Sequence, residues 1–446
     1  MATRFRQLIV RGLLLAAGAA LLGGCGSKAA TTTLTIATVN NGDMITMKKL
    51  AAEFERLHPD IRLKWVVLEE NVLRQRVTTD VATGAGQFDV VTIGNYEVPI
   101  WAKQKWLKPL SSLPADYDIE DLLAPVRNAV THEGQVFALP FYAESAMTYY
   151  RTDLFAKAGL KMPEHPTYEQ IAEFAHQLTD RAHEVYGICL RGKPGWGENM
   201  GTITSIVHAF GGRWFDMKWH AALDTPEWHR AITYYSDLLE SDGPPGATSN
   251  GFNENLALFA TGHCAMWVDS TVAATLLFSD QHASVAGKVG YAPMPLGQDA
   301  GAPTWLWSWN LAVPAASKHA DAAMQFAAWA TSKSYVGLVA KTRGWVDVPP
   351  GTRQSTYDST EYQQAAPFAE FVHNAIGTAI PTDADATTPR PYRSAQFVSI
   401  PAFQGLGTQV GQIIAATLTG QTDVEAALKE AQIVAERAIQ QSGSSQ

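Results

Sequence analysis

Short apolar runs alternate with longer amphipathic stretches along this chain. Residues 33–39 (TLTIATV) make an apolar run of strand length, and positions 43–57 then carry Met44, Met47, Leu50, Ala51, Phe54 and Leu57 at helical spacing. Residues 61–68 (IRLKWVVL) alternate as a strand, 71–86 read as a helix stopped by Gly84 or Gly86, and 88–94 (FDVVTIG) form a third strand. This β-α-β-α-β order predicts a parallel sheet with helices on both faces.

A second series follows. Pro166, Thr167 and Gln170 give a capping-box start to a helix over 167–180. Strands are expected at 186–192, 264–269 and 288–295. Helices are expected at 197–212, closed by Gly211-Gly212, after the Thr225-Pro226 start, and at 253–263. The chain beyond 318 reads as mostly helical, with Thr422 and Glu425 capping the last helix. The expected fold class is α/β with two units. In the late strand WLWSWNLAVP, Trp305, Trp307 and Trp309 recur at every second position, which directs all three indoles to one face. Leu311 and Val313 continue that face, so Trp309 is expected in the core and Trp305 or Trp307 in a site.

The N-terminus has a separate pattern. Arg4, Arg6 and Arg11 precede the apolar run LLLAAGAALLGG and then Cys25. The run is short for a membrane-spanning helix and reads as an export signal over 1–24. Leu22-Gly23-Gly24-Cys25 resembles a lipobox, which makes Cys25 a candidate for lipidation and 25–32 a small-residue tether holding the protein at a membrane surface. In an exported protein Cys189 and Cys264 are free to pair or to remain two buried thiols.

Composition narrows the function. The 446 residues carry a formal charge of −9, with no clustered Lys/Arg run, which argues against nucleic acid as a partner. No catalytic, phosphate-binding or metal-ligand motif is present, so neither a cofactor nor a metal is expected. What recurs is polar and aromatic residues just after strands: Asn40, Asn41 and Asp43; Glu69, Glu70 and Asn71; Asn95, Tyr96 and Glu97; Trp196, Glu198 and Asn199; Asp269 and Ser270. Each is able to cap the next helix, yet ligands of open parallel sheets sit beyond the carboxyl ends of the strands. Indoles together with carboxylates and amides suit a polyhydroxylated ligand: its C–H faces lie on the rings and its hydroxyls bond the polar groups.

TLTIATVNNGDMI, CLRGKPGWGEN, SNGFNENLALF and WLWSWNLAVP resemble the extracellular solute-binding proteins of bacterial ABC sugar importers, and within them the sorbitol/mannitol (polyol) branch. The resemblance runs from about 33 to 440. It implies a two-lobed periplasmic-binding-protein fold that closes on a polyol or sugar and docks on the permease subunits of the importer. It implies no catalysis, a monomer, and a place in the cell envelope. The implied divisions are 33–142 and 303–345 for the first lobe and 143–302 and 346–440 for the second. The implied ligand contacts are Asn41, Glu70, Tyr96, Glu144, Trp196, Asn199, Asp269, Trp305, Trp307 and Trp345. Ala143 stands where the family pattern has Gly, and Asn95 where it has a smaller residue. The competing reading is a carbohydrate-active hydrolase with Glu70, Glu144, Glu198 or Asp269 as its acid pair.

Overall fold

The computed structural model describes residues 31–279, 284–297, 305–379, 388–392 and 394–442. The export signal and Cys25 lie outside them. Eleven strands occur among the described residues: β1 (Thr32–Val39), β2 (Ile61–Leu68), β3 (Val90–Gly94), β4 (Thr131–His132), β5 (Gln135–Val136), β6 (Ala138–Glu144), β7 (Ala146–Arg151), β8 (Tyr186–Cys189), β9 (Cys264–Ser270), β10 (Val289–Pro293) and β11 (Trp307–Ala312). The first sheet runs β2-β1-β3-β11-β6. Its β1, β2 and β3 are parallel, and β11 lies antiparallel to β3 and β6. The second runs β10-β7-β9-β8, with β8 and β9 parallel and the other pairs antiparallel.

The expected α/β architecture is present; the sequence reading passed over the two-residue β4 and β5 and two longer strands. ALPFYAE (β6) and AMTYYR (β7) are almost wholly buried, so they lack the alternation that marks a half-exposed strand. Pro140 argues locally against a strand, but β6 is the edge of its sheet, where a missing N–H is tolerated. Phe141 is the extra residue of a bulge there, because Trp309 pairs with Tyr142 and Asn310 with Pro140.

The chain passes from the first sheet to the second through a single residue, Ser145. Its N–H donates to Thr271 Oγ1 at 3.0 Å and its carbonyl accepts from the Thr271 N–H at 2.8 Å. The chain returns at β11. Residues 350–378, expected with the second lobe, instead lie largely against the first-sheet unit. Leu123 N–H donates to the Thr352 carbonyl, Arg353 bonds Asp121, the Tyr117 carbonyl and the Thr331 carbonyl, and the helix Ala369–Thr378 packs on β6. Further along, His208 bonds Tyr392 and the Ala395 carbonyl, and the helices Phe403–Ala415 and Val424–Ser442 pack on the helices of the second unit. The last helix is capped by neither Thr422 nor Glu425 but by Asp423, whose Oδ1 accepts the Ala426 N–H.

Cys189 and Cys264 are disulfide-bonded with Cα atoms 5.9 Å apart, joining β8 to β9. Among the described residues no helix is long and apolar enough to cross a membrane, and no group of three or more His, Cys, Asp or Glu is placed to hold a metal.

Candidate functional site

A narrow cavity lies between the two sheets. Asn41 lies two residues past β1 and caps the helix Gly42–Leu50: its Oδ1 accepts the Met44 N–H at 3.0 Å, and its Nδ2 donates to Tyr142 Oη at 2.8 Å. The helix Glu70–Thr83 starts under a Glu69 cap and ends at Gly84 in the left-handed conformation (φ 64°). Glu70 and Arg74 are one turn apart on it, so both reach the cavity. Glu144 is the last residue of β6 and faces Trp307 across the ladder. Gly94, at the end of β3, is required there: a Cβ would overlap the Trp307 indole and come within 2.7 Å of Glu97 Oε2. The second unit contributes Arg191, Trp196, Phe252, Gln396 and Phe397.

Two guanidinium groups organise the walls. Arg74 donates Nε and Nη2 to Glu70 Oε1 at 3.1 and 2.8 Å, and Nη1 to Glu97 Oε1 at 3.0 Å. Its Cζ lies 4.1 Å from the ring centroid of Trp196, 4.8 Å from Trp307 and 4.7 Å from Trp309, an indole cage around a cation. Arg191 holds Asp269 with a bidentate fork at 2.9 and 2.6 Å and donates Nη1 to the Gly197 carbonyl. Among the described residues these bonds use three of the five N–H groups of each guanidinium, and Arg191 Nη1 also lies 3.6 Å from Glu198 Oε2. Burial pushes the Glu144 carboxyl up to about 8; Asp269 and Glu70 add to this, and the Ser270 hydroxyl and Arg191 oppose it. Glu198 is pushed up to about 8 by burial and by Glu70, against the pull of Arg191 and Lys193.

The two units are shut over this cavity. Lys193 Nζ donates to Glu69 at 2.6 Å, Asn71 Nδ2 to the Pro194 carbonyl at 3.2 Å, and Asn253 Nδ2 to the Asn40 carbonyl at 2.9 Å. Gln404 Nε2 donates to Glu97 Oε1 at 3.2 Å, the oxygen that Arg74 also uses.

Of the residues expected to contact ligand, Asn41, Glu70, Glu144, Trp196 and Trp307 line the cavity. The other five do not, and the local geometry explains each. Tyr96 donates its Oη to the Ile400 carbonyl at 2.6 Å and packs behind Trp196. Asn199 bonds the Gly195 N–H and the Gly411 carbonyl. Asp269 stands behind Arg191. Trp345 opens a short 3-10 turn, Trp345–Asp347, away from the wall. Trp305 precedes β11, escapes its alternation, and lines a neighbouring apolar cavity. Trp309, expected in the core, is buried yet lines the cavity beside Trp307. Asn95 is spent on the backbone of Leu306 and Ser308, and the Ala143 N–H bonds the Pro350 carbonyl.

The reading missed Arg74, Arg191, Tyr142, Gln396 and Phe397. Arg191 follows a strand and fits the rule that found the others, and Arg74 is detectable as the i+4 partner of Glu70. Gln396 and Phe397 lie in irregular chain with no periodic signal.

The family model described as "Bacterial extracellular solute-binding protein" matches residues 40–336. A mannitol-binding protein of Pseudomonas aeruginosa is 52% identical over 411 residues, covering 92% of this chain and 94% of that protein. The crystal structure of an ABC transporter solute-binding protein of Agrobacterium vitis with bound D-mannitol superposes with a TM-score of 0.91 at 55% identity, over 93% of this chain and 99% of the other. One from Agrobacterium radiobacter in complex with ribitol gives 0.80 at 25% identity, over 92% and 99%.

Proposed function

The chain belongs to the bacterial extracellular solute-binding protein family, and from that premise we propose that it captures a linear sugar alcohol, mannitol or a close relative, for an ABC importer. Its work is binding rather than catalysis. The observation that carries the choice of ligand is the alternation, in one closed cavity, of indole faces with groups that bond hydroxyls in pairs. Glu70 and Glu144 accept, the remaining N–H groups of Arg74 and Arg191 donate, and Asn41 does both. A polyol hydroxyl donates and accepts at once, so a chain of vicinal hydroxyls has a partner at each step. Its C–H edges rest on Trp196, Trp307 and Trp309. Tyr96, Asn199 and Asp269 act one layer behind, as supports of Trp196 and Arg191.

The relatives are binding proteins and give the hydrolase reading no support, and Asp269, one of its candidate acids, is locked to Arg191. The same proposal takes the protein to be exported, cleaved before Cys25, lipid-anchored there, monomeric, and received by permease subunits when closed.

A thermal-shift and calorimetric panel on residues 26–446 tests the ligand, with mannitol, sorbitol, arabitol, ribitol, glucose, maltose and trehalose. A ligand that binds the native state alone raises the melting temperature once it exceeds its Kd. Stabilisation by linear polyols is the expected result, and stabilisation by disaccharides alone overturns the choice.

A further inference from the structure

Gly197 stands in the loop between β8 and the helix Asn199–Ala209, where the second unit meets the first. A Cβ built there would lie 2.6 Å from Glu70 Oε1, 2.8 Å from Arg74 Nη2 and 3.0 Å from Arg74 Nε, well inside the 3.4–4 Å of ordinary contact. These nearest atoms all belong to the helix Glu70–Thr83 of the first unit. Gly195 repeats the approach: a Cβ there would lie 2.6 Å from Asn71 Oδ1 on the same helix. Yet Gly197 has a negative φ, so its own turn makes no demand for glycine. The demand comes from across the cleft.

Neither side gives way cheaply. Arg191 Nη1 donates to the Gly197 carbonyl at 3.0 Å, and the Gly195 N–H donates to Asn199 Oδ1 at 3.2 Å, which ties the loop to its own unit. Opposite it, Glu70 is held by the Arg74 fork, and Arg74 by Glu97 and by the Trp307 and Trp309 indoles. We propose that Gly197 sets the closed geometry: its missing side chain lets the loop seat on the Glu70–Arg74 pair, and that seat fixes how near the two walls of the cavity come. The inference rests on the binding role proposed above. A side chain at 197 holds the units apart, while the open protein accepts it, because the obstructing atoms belong to the other unit.

Gly197→Ala and Gly197→Leu test this in the full mature chain, with mannitol as the ligand. Calorimetry should show binding about tenfold weaker in the Ala variant and weaker still in the Leu variant, with the melting temperature of the ligand-free protein unchanged. A second readout needs no ligand. Lys193 Nζ and Glu69 Oε1 meet across the cleft at 2.6 Å, so a carbodiimide should join them in an amide, scored by peptide mass spectrometry. Mannitol should speed this coupling in the wild type, and Gly197→Leu should slow it by about tenfold with or without mannitol. Should the Leu variant fail to fold, the Ala variant carries both readouts. Four results overturn the proposal: unchanged affinity in the folded variants; weaker binding with unchanged coupling, which means that the side chain only crowds the ligand; a lower ligand-free melting temperature in the Ala variant, which gives Gly197 a role within its own unit; or no amide in the wild type. If mannitol neither binds nor speeds coupling in the wild type, the choice of ligand falls, and the coupling rate of the variant alone decides the role of Gly197.

Discussion

Arg74→Lys separates the roles of the caged cation. The variant keeps a positive charge between Glu70 and Glu97, so no buried carboxylate is stranded, which is the costly outcome when one partner of a buried pair is deleted. What it loses is the planar fork. Trp307 and Trp309 belong to the same unit as Arg74, so their contacts exist in the open and the closed protein alike. Trp196 comes from the other unit, and its 4.1 Å stacking on the guanidinium forms on closure. A desolvated cation–π contact contributes about 2 kcal/mol, and a charge-assisted bond to a ligand hydroxyl about 1.5–3 kcal/mol. Lysine recovers part of each, so the net loss expected in binding is about 2 kcal/mol, or about thirtyfold in Kd. Calorimetric titration with mannitol measures it, and melting of the ligand-free protein reports the fold separately. A Kd within about threefold of the wild type, with melting intact, refutes the assignment of Arg74 to both ligand and closure.

Gln404→Ala removes the amide that reaches Glu97 and Thr78 across the cleft. Mannitol should dissociate faster with little change in association, read by stopped-flow tryptophan fluorescence; an unchanged dissociation rate counts against closure-specific contact. Glu144, held at about 8 when folded against an ordinary 4.5, binds a proton that the unfolded chain has released between those values. Stability of the ligand-free protein should therefore fall as pH rises through that window, by up to about 1.4 kcal/mol per pH unit, and level off above 8. Glu144→Gln should flatten the slope in urea titrations, and an unaltered slope assigns it elsewhere. The Cys189–Cys264 bond spans 75 residues, so replacing both by Ala should cost about 4 kcal/mol in denaturant unfolding. A loss under about 1 kcal/mol would show that the bond constrains little.

The parts of the fold legible in the sequence were those with local signals. The Thr167–Gln170 capping box is present in both directions, and Gly84 stops its helix as read. β6 and β7 lack the period of two, as the equally buried β3 and β9 do, but Pro140 interrupts the first and a single residue parts the pair, so no turn signal bounds them. The site divides similarly. Asn41, Glu70 and Trp307 sit at strand or helix ends, where the topology of an α/β sheet forecasts a ligand. Asp269 obeys the same rule, yet is turned onto Arg191 by a pairing 78 residues distant in sequence that no local pattern encodes. Trp305 failed because alternation holds within a strand and β11 starts two residues later.

The one-residue passage at Ser145 sets how this protein tolerates changes in chain length. An added residue there would slip β7 by one against β9 and β10 and turn Met147 and Tyr149 onto the buried face that Ala146 and Thr148 occupy, while Glu144 stayed fixed in its ladder. Deletion would pull on the same two sheets at once. Insertion scanning, or grafting of a reporter domain, should therefore fail at this junction, which behaves as a fixed splice between the two sheets.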